Sequence, residues 1–239
     1  MNIFVTSPDE KEGKTIFCAG VAAVMQSLGY EMAVFKPVQT GCKFANNKQF
    51  SPDLNFIKKI DPNIKTYSSY NLKQNSSPAI ALDHERIKFT TETVIRDYNA
   101  AKQTNDIIIV EGAGGILTPI TGRIFNKDLA IGMKLPTVII VNIQQGFINR
   151  ALMTIKAAES ARLDILGIVL NNYSLTEKRN GFHQEVKLLE QVIDYDILGY
   201  IPNVNFLGEG INAENLISEI LQNINLQKLF CMEIPKLDF

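Results

Sequence analysis

Residues 2–15 read NIFVTSPDEKEGKT, and no other stretch constrains the fold as tightly. A short β-branched and aromatic run, Ile3 to Val5, enters a polar loop that closes on Gly13-Lys14-Thr15. An apolar helix over 16–28 follows at once. The unpaired N–H groups of the loop and of the helix start offer donors to an anion. Lys14 can reach terminal phosphates as a point charge, and the Thr15 hydroxyl can enter a Mg²⁺ shell. Strand, loop, Gly-Lys-Thr and helix together make the phosphate cradle of a nucleotide-binding P-loop.

The loop departs from the common G-x-x-x-x-G-K-[ST] pattern. Ser7 stands at the opening position of a loop longer by one residue, so the first glycine is missing. Asp9, Glu10 and Glu12 put negative charge beside a phosphate site. That should weaken nucleotide binding unless the side chains point outward or Mg²⁺ compensates.

Strands are expected at 3–5, 31–36, 106–110, 137–143, 165–170 and 197–201, and helices at 14–28, 53–60, 90–103, 127–134, 147–162, 183–193 and 212–225. The strand runs are continuously apolar rather than alternating, as parallel strands covered on both faces require. Alternation of the two types predicts an α/β, P-loop NTPase-like, doubly wound and mainly parallel sheet with helices on both faces. Ligands then sit at the carboxyl ends of the strands. The segment 41–75 reads as a crossover excursion. A single domain is expected over 1–226, followed by a tail over 227–239 to which the sequence assigns no role; its Leu229, Phe230, Met232 and Ile234 imply packing.

A chain of 239 residues with 46% apolar and 21% charged residues suits one enzyme-sized core. The net charge of −1 gives no global electrostatic footprint for nucleic acid or an anionic membrane. Three scattered cysteines, no signal-like start and no apolar run of roughly 18–20 residues make the cytoplasm the expected location. His84 and His183 belong to no cluster.

Two further motifs carry chemistry. Lys36-Pro37-Val38-Gln39-Thr40-Gly41 places a lysine at a strand end, where Pro37 stops the ladder and fixes the exit direction. Glu111-Gly112-Ala113-Gly114-Gly115, followed by Ile116-Leu117-Thr118-Pro119, puts a carboxylate at a strand end before residues small enough to let a ligand approach the backbone. A carboxylate there suits Mg²⁺ directly or through water.

With Gly13-Lys14-Thr15, these two motifs make the chain similar to the dethiobiotin synthetase family over roughly residues 1–226. The resemblance continues through Leu135-Pro136-Thr137-Val138-Ile139, Gly146-Phe147-Ile148-Asn149, Asn171-Asn172 and Pro202. It implies ATP-dependent closure of a cyclic urea from 7,8-diaminononanoate and CO₂ or bicarbonate, with Mg²⁺ as cofactor. The substrate carbamate would attack the γ-phosphate, and the second amine would close the ring on the resulting carbamic–phosphoric anhydride.

Residue by residue, the resemblance assigns Lys14 to the β- and γ-phosphates and Lys36 to charge on the transferred phosphoryl group and carbamate. Thr15, Asp53 and Glu111 become the metal ligands. The nucleotide would be lined by Lys11, Glu12, Gly13, Ile16, Gly112, Ala113 and Gly114, and by Asn171, Asn172, Pro202, Asn203, Val204 and Glu209 towards the base. Thr40 and Thr118, with Gly146, Ile148 and Asn149, would hold the substrate. The family is a homodimer that holds the diamine across its interface, so Gly146 to Asn149 would face a partner subunit. Gln144 stands where the family often has lysine. Two alternatives stay open: a regulatory ATPase of the partitioning and cell-division class, and a homologue that binds nucleotide without turnover. The first usually carries a second lysine in a Gly-Lys-Gly-Gly type loop, a setting Lys11 does not match.

Overall fold

The structure is a computed structural model that describes residues 1–45, 48–173, 182–203 and 211–233. Its first half runs β1 (Ile3–Thr6), α1 (Lys14–Ser27), β2 (Met32–Phe35), β3 (Val38–Gln39), β4 (Lys43–Ala45), β5 (Lys48–Phe50), α2 (Pro52–Ile60), β6 (Lys65–Tyr67), β7 (Tyr70–Asn71), α3 (Pro78–His84) and α4 (Thr91–Lys102). The second half runs β8 (Ile107–Glu111), α5 (Asn126–Met133), β9 (Thr137–Asn142), α6 (Phe147–Ser160), β10 (Ile165–Tyr173), α7 (Phe182–Val192), β11 (Ile197–Pro202), α8 (Ala213–Asn223) and α9 (Leu226–Phe230).

Seven strands form one sheet in the order β11-β10-β9-β1-β8-β2-β6, and every pairing in it is parallel. The strand that carries the phosphate loop is therefore central. Side chains alternate between two apolar layers. Ile3, Val5, Val34, Ile109, Val138 and Val169 face α1, α2, α8 and α9. Phe4, Phe35, Ile108 and Val110 face α3, α4 and α5, while Ile139, Val141, Ile168 and Leu170 face α6 and α7. Both faces are dry, which is why the strands lack polar alternation. The architecture is the expected P-loop NTPase-like α/β fold.

Three features were not legible as elements. Strand β6 reads Lys-Thr-Tyr, half-buried at the sheet edge, and so shows no apolar run. The excursion over 41–75 contains, besides the expected α2, the short antiparallel pair β4–β5, which no expectation covered. Helix α3 spans only seven residues behind Ser77-Pro78, too short to show a period.

The start of the tail is part of the core. Leu226, Leu229 and Phe230 on α9 are buried in the same layer as α1 and α8. Ile234 lies outside the described residues. No helix among the described residues is long and apolar enough to cross a membrane. Because Phe230 is 2% exposed, Phe230→Ala should lower the unfolding free energy by about 3–5 kcal/mol. Urea denaturation measures this; a loss under about 1 kcal/mol would mean that the tail is only laid on the surface.

Candidate active site

The strand register creates the site. In the β2–β8 pairing Phe35 lies opposite Val110, so the next residues, Lys36 and Glu111, emerge side by side at the carboxyl edge. Lys36 Nζ donates to Glu111 Oε1 at 2.7 Å, and the same oxygen accepts from Thr15 Oγ1 at 2.7 Å. Lys36 also forms an ion pair with Asp53. Asp53 sits in the first turn of α2 behind Pro52, where a carboxylate complements the helix dipole. Four residues from four segments thus form one continuous polar network. Lys36 is 5% exposed and Glu111 is fully buried.

Burial pulls the Lys36 pKa down, but the charges of Glu111 and Asp53 more than reverse this and hold it above its ordinary value. Lys36 is therefore a fixed cation. Lys14, also buried, behaves differently. Burial, reinforced by the charge of Lys36, lowers its pKa from 10.5 to about 8, against the opposing pull of Glu111 and Glu12. Lys14 Nζ donates to Ser7 Oγ at 2.7 Å and to the Asp9 carbonyl at 2.9 Å. Ser7, at the opening position of the loop, supplies a hydroxyl acceptor that glycine lacks.

Lys14, Thr15, Lys36, Asp53 and Glu111 open into one cleft of about 780 Å³. Lys11, Thr40, Ala113 and Gly114 line it as well, as do Gln39, Lys73 and Asn75, which the sequence did not single out. Gly13 adopts φ 101°, and a Cβ there would lie 2.2 Å from Asn171 Nδ2, so only glycine fits between the loop and β10. The glycine turn after β8 packs on the loop from the other side. A Cβ on Gly115 would lie 2.2 Å from the Pro8 carbonyl oxygen, and Ile116 N donates to the Ser7 carbonyl at 2.9 Å. Gly112 N joins this contact by donating to the Val5 carbonyl at 3.0 Å. Buried Asn126 fastens the turn, donating to the carbonyls of Ala113 and Gly115. Nothing in the sequence marks Asn126 except its place at the start of α5.

Other candidates lie elsewhere. Ile16 packs partly against the core beneath α1. Thr118 closes the glycine turn, its Oγ1 accepting from Gly115 N at 2.8 Å, and does not line the cleft. Gly146, Ile148 and Asn149 sit at the start of α6 and are not among the residues that line the cleft. Asn171 donates through Nδ2 to the Glu12 carbonyl at 3.0 Å. Asn172 follows in a left-handed conformation, φ 65°. Pro202 and Asn203 end the last strand, where Asn203 N donates to the Tyr173 carbonyl. Val204 and Glu209 lie outside the described residues. Of the three acids that threatened the phosphate site, Glu12 turns away from it, onto the end of β9 and onto α6. Cys18 is sealed in the core, where burial pushes its thiol pKa well up.

The donor set fits a hard divalent cation. Thr15, Asp53 and Glu111 offer only oxygen, and Glu111 Oε2 is buried without a hydrogen-bond partner. No group of three His, Cys, Asp or Glu side chains converges among the described residues. Such a cation would therefore share its shell with phosphate oxygens, as Mg²⁺ does at nucleotide sites.

Known proteins resemble this chain over most of its length. Residues 1–210 match the AAA domain family. The chain is 32% identical to an ATP-dependent dethiobiotin synthetase of Fusobacterium nucleatum, over 72% of this chain and 79% of that protein. The chain belongs to the dethiobiotin synthetase family. Synthetases of the same name from Lysinibacillus sphaericus and Anoxybacillus flavithermus are 29% and 28% identical, over 88% and 84% of this chain and 91% of each relative. Among solved structures, the MinC:MinD cell division protein complex of Aquifex aeolicus matches with TM-score 0.60 at 16% identity, covering 100% of this chain and 99% of that one. A ParA family ATPase from Chlorobium tepidum gives 0.54 at 15%, covering 97% and 93%. Those two likenesses establish the fold alone.

Lys14 sets a pH signature. Below a pKa of about 8 the ammonium is already protonated; between that value and 10.5 the free amine must take up a proton to face a triphosphate. Calorimetric titration of Mg-ATP at about pH 8.5 in buffers of different ionisation enthalpy should show proton uptake, and affinity should fall as pH rises through this window. Binding with no proton uptake there would contradict the assignment of Lys14.

Proposed function

We propose that this chain is an ATP-dependent dethiobiotin synthetase that closes the cyclic urea of dethiobiotin in biotin biosynthesis. Its substrates would be 7,8-diaminononanoate, CO₂ or bicarbonate, and ATP. The observation that carries this reading is the single network Thr15–Glu111–Lys36–Asp53, which opens into the same cleft as Lys14 and Thr40. Membership of the family supplies the reaction.

One substrate amine takes up CO₂ as a carbamate. A carbamate oxygen attacks the γ-phosphorus, the bond to ADP breaks, and a carbamic–phosphoric anhydride results. The second amine attacks the carbamate carbon, phosphate leaves with the bridging oxygen, and the ring closes. Little covalent chemistry falls to the protein, which contributes placement and charge.

Lys14 holds the β- and γ-phosphates. Lys36, kept cationic by two carboxylates, neutralises charge shared between the carbamate and the transferred phosphoryl group. Thr40 offers a hydroxyl to the carbamate. Mg²⁺, held by Thr15, Asp53 and Glu111, would neutralise triphosphate oxygens and make the phosphorus more electrophilic. The family resemblance assigns Asn171 and Asn172, with Pro202, Asn203, Val204 and Glu209, to the base end of the nucleotide. Thr118, whose hydroxyl closes the glycine turn, would help hold the substrate by the family resemblance. Gly146, Ile148 and Asn149 do not line the cleft of their own chain, which suits a role across a homodimer interface, towards the partner's diamine.

Incubation with the diamine, ¹³C-bicarbonate and Mg-ATP should yield labelled dethiobiotin by mass spectrometry, with one phosphate released per ring. With ¹⁸O-bicarbonate, one labelled oxygen should appear in the phosphate. ATP hydrolysis indifferent to the diamine would instead favour a switch ATPase. Product formed without oxygen transfer to phosphate would exclude the anhydride.

A further inference from the structure

Glu12 is an acid where an acid is costly. It is 1% exposed, and a buried carboxylate destabilises a fold unless it is paired and hydrogen-bonded. Burial raises its pKa above 4.5, while the Asn142 amide and Arg150 pull the other way. Its Oε2 accepts from Asn142 N at 2.6 Å, at the last residue of β9. Its Oε1 accepts from Arg150 Nη1 at 2.6 Å, in the first turns of α6. Arg150 Nη2 donates to the Asn142 carbonyl at 3.1 Å. Gln144, with its amide oxygen turned to the guanidinium, accepts from both terminal nitrogens of Arg150 at 2.7 Å. The Glu12 carbonyl, in turn, accepts from Asn171 at 3.0 Å. One residue thus ties the phosphate loop to β9, to α6 and to β10.

The neighbours of Glu12 show what this anchoring holds. Lys11 at φ 58° and Gly13 at φ 101° both lie in the left-handed region, which glycine adopts freely but lysine rarely, so Glu12 sits between two sharp turns of the backbone. Lys14 comes directly after them. We propose that Glu12 is a positioning residue for nucleotide binding. It acts through Arg150, Asn142 and Asn171 to fix the turn that presents Gly13 and Lys14, and its carboxylate does not touch the nucleotide. Arg150 has no part in phosphate binding of its own; its function is to keep Glu12 anchored. This rests on the reading of the cleft as a nucleotide site.

The test measures Mg-ATP affinity with a fluorescent ATP analogue and, separately, KM and kcat. Glu12→Val and Arg150→Met should each weaken affinity by about tenfold or more, the scale of a lost charged hydrogen bond. The double variant should be no weaker than Glu12→Val alone, because Arg150 acts only through Glu12. KM for ATP should rise while kcat at saturating ATP stays within about twofold of the parent. Glu12→Gln, which keeps the shape but offers a single acceptor oxygen to the two donors Asn142 N and Arg150 Nη1, should show an intermediate affinity. If Glu12→Val does not fold, Arg150→Met and Glu12→Gln carry the test.

Folded single variants with parental affinity would overturn the proposal, as would a double variant in which the losses add. A parent chain that binds nucleotide tightly but forms no dethiobiotin would sink the synthetase reading and leave this one standing.

Discussion

Everything at the carboxyl edge of the sheet depends on one buried ion pair, Lys36 with Glu111. The pair follows from a register: adjacent parallel strands end with Phe35 opposite Val110, and the next residue of each turns into the cleft. Dehydrating a lysine and a carboxylate costs several kcal/mol per ion, which their attraction seldom recovers in full. An apolar pair of equal volume would fold as well or better. The pair is therefore weak evidence for stability, and a fixed cation at this edge is what the proposed phosphoryl transfer would require. Asp53 joins the pair from α2 as a second carboxylate on Lys36, and Thr15 joins from α1 by a hydroxyl hydrogen bond to Glu111. The site is an assembly of strand and helix ends, rigid because the elements beneath it are packed on both faces.

The two lysines divide the work through their surroundings. Lys36 lies between carboxylates and stays charged. Lys14 lies beside Lys36, among backbone acceptors, and is far easier to deprotonate. Above about pH 8, where part of Lys14 is neutral, an arriving triphosphate would draw a proton onto it. The fold shared with the MinC:MinD complex and a ParA family ATPase provides the sheet, loop and helix. It does not determine the reaction, which lives in the side chains grafted onto its edge.

Much of this was legible in the residues. The six strands with continuous apolar runs and the seven longer helices stand close to where periodicity placed them, because two-sided burial leaves a strong signal. Edge strand β6 and short α3 left none. The residues at strand ends, Lys36 and Glu111, were visible as motifs, and the structure brings them together with Lys14, Thr15 and Asp53. Contacts that depend on tertiary meeting were not visible. Glu12 looked like a liability in a linear reading, since nothing in sequence links it to Arg150, 138 positions away. Asn126 was hidden for a similar reason, its partners Ala113 and Gly115 lying in the glycine turn 13 and 11 positions earlier.

The most direct test of the central claim is the rate of phosphate release by Lys36→Ala in the presence of diamine, bicarbonate and saturating Mg-ATP, with the thermal midpoint and ATP affinity recorded alongside. The account predicts a folded protein that still binds ATP through its phosphate loop but releases diamine-dependent phosphate at least about a hundredfold more slowly. Turnover near that of the parent chain would show that the buried lysine serves the fold rather than the reaction.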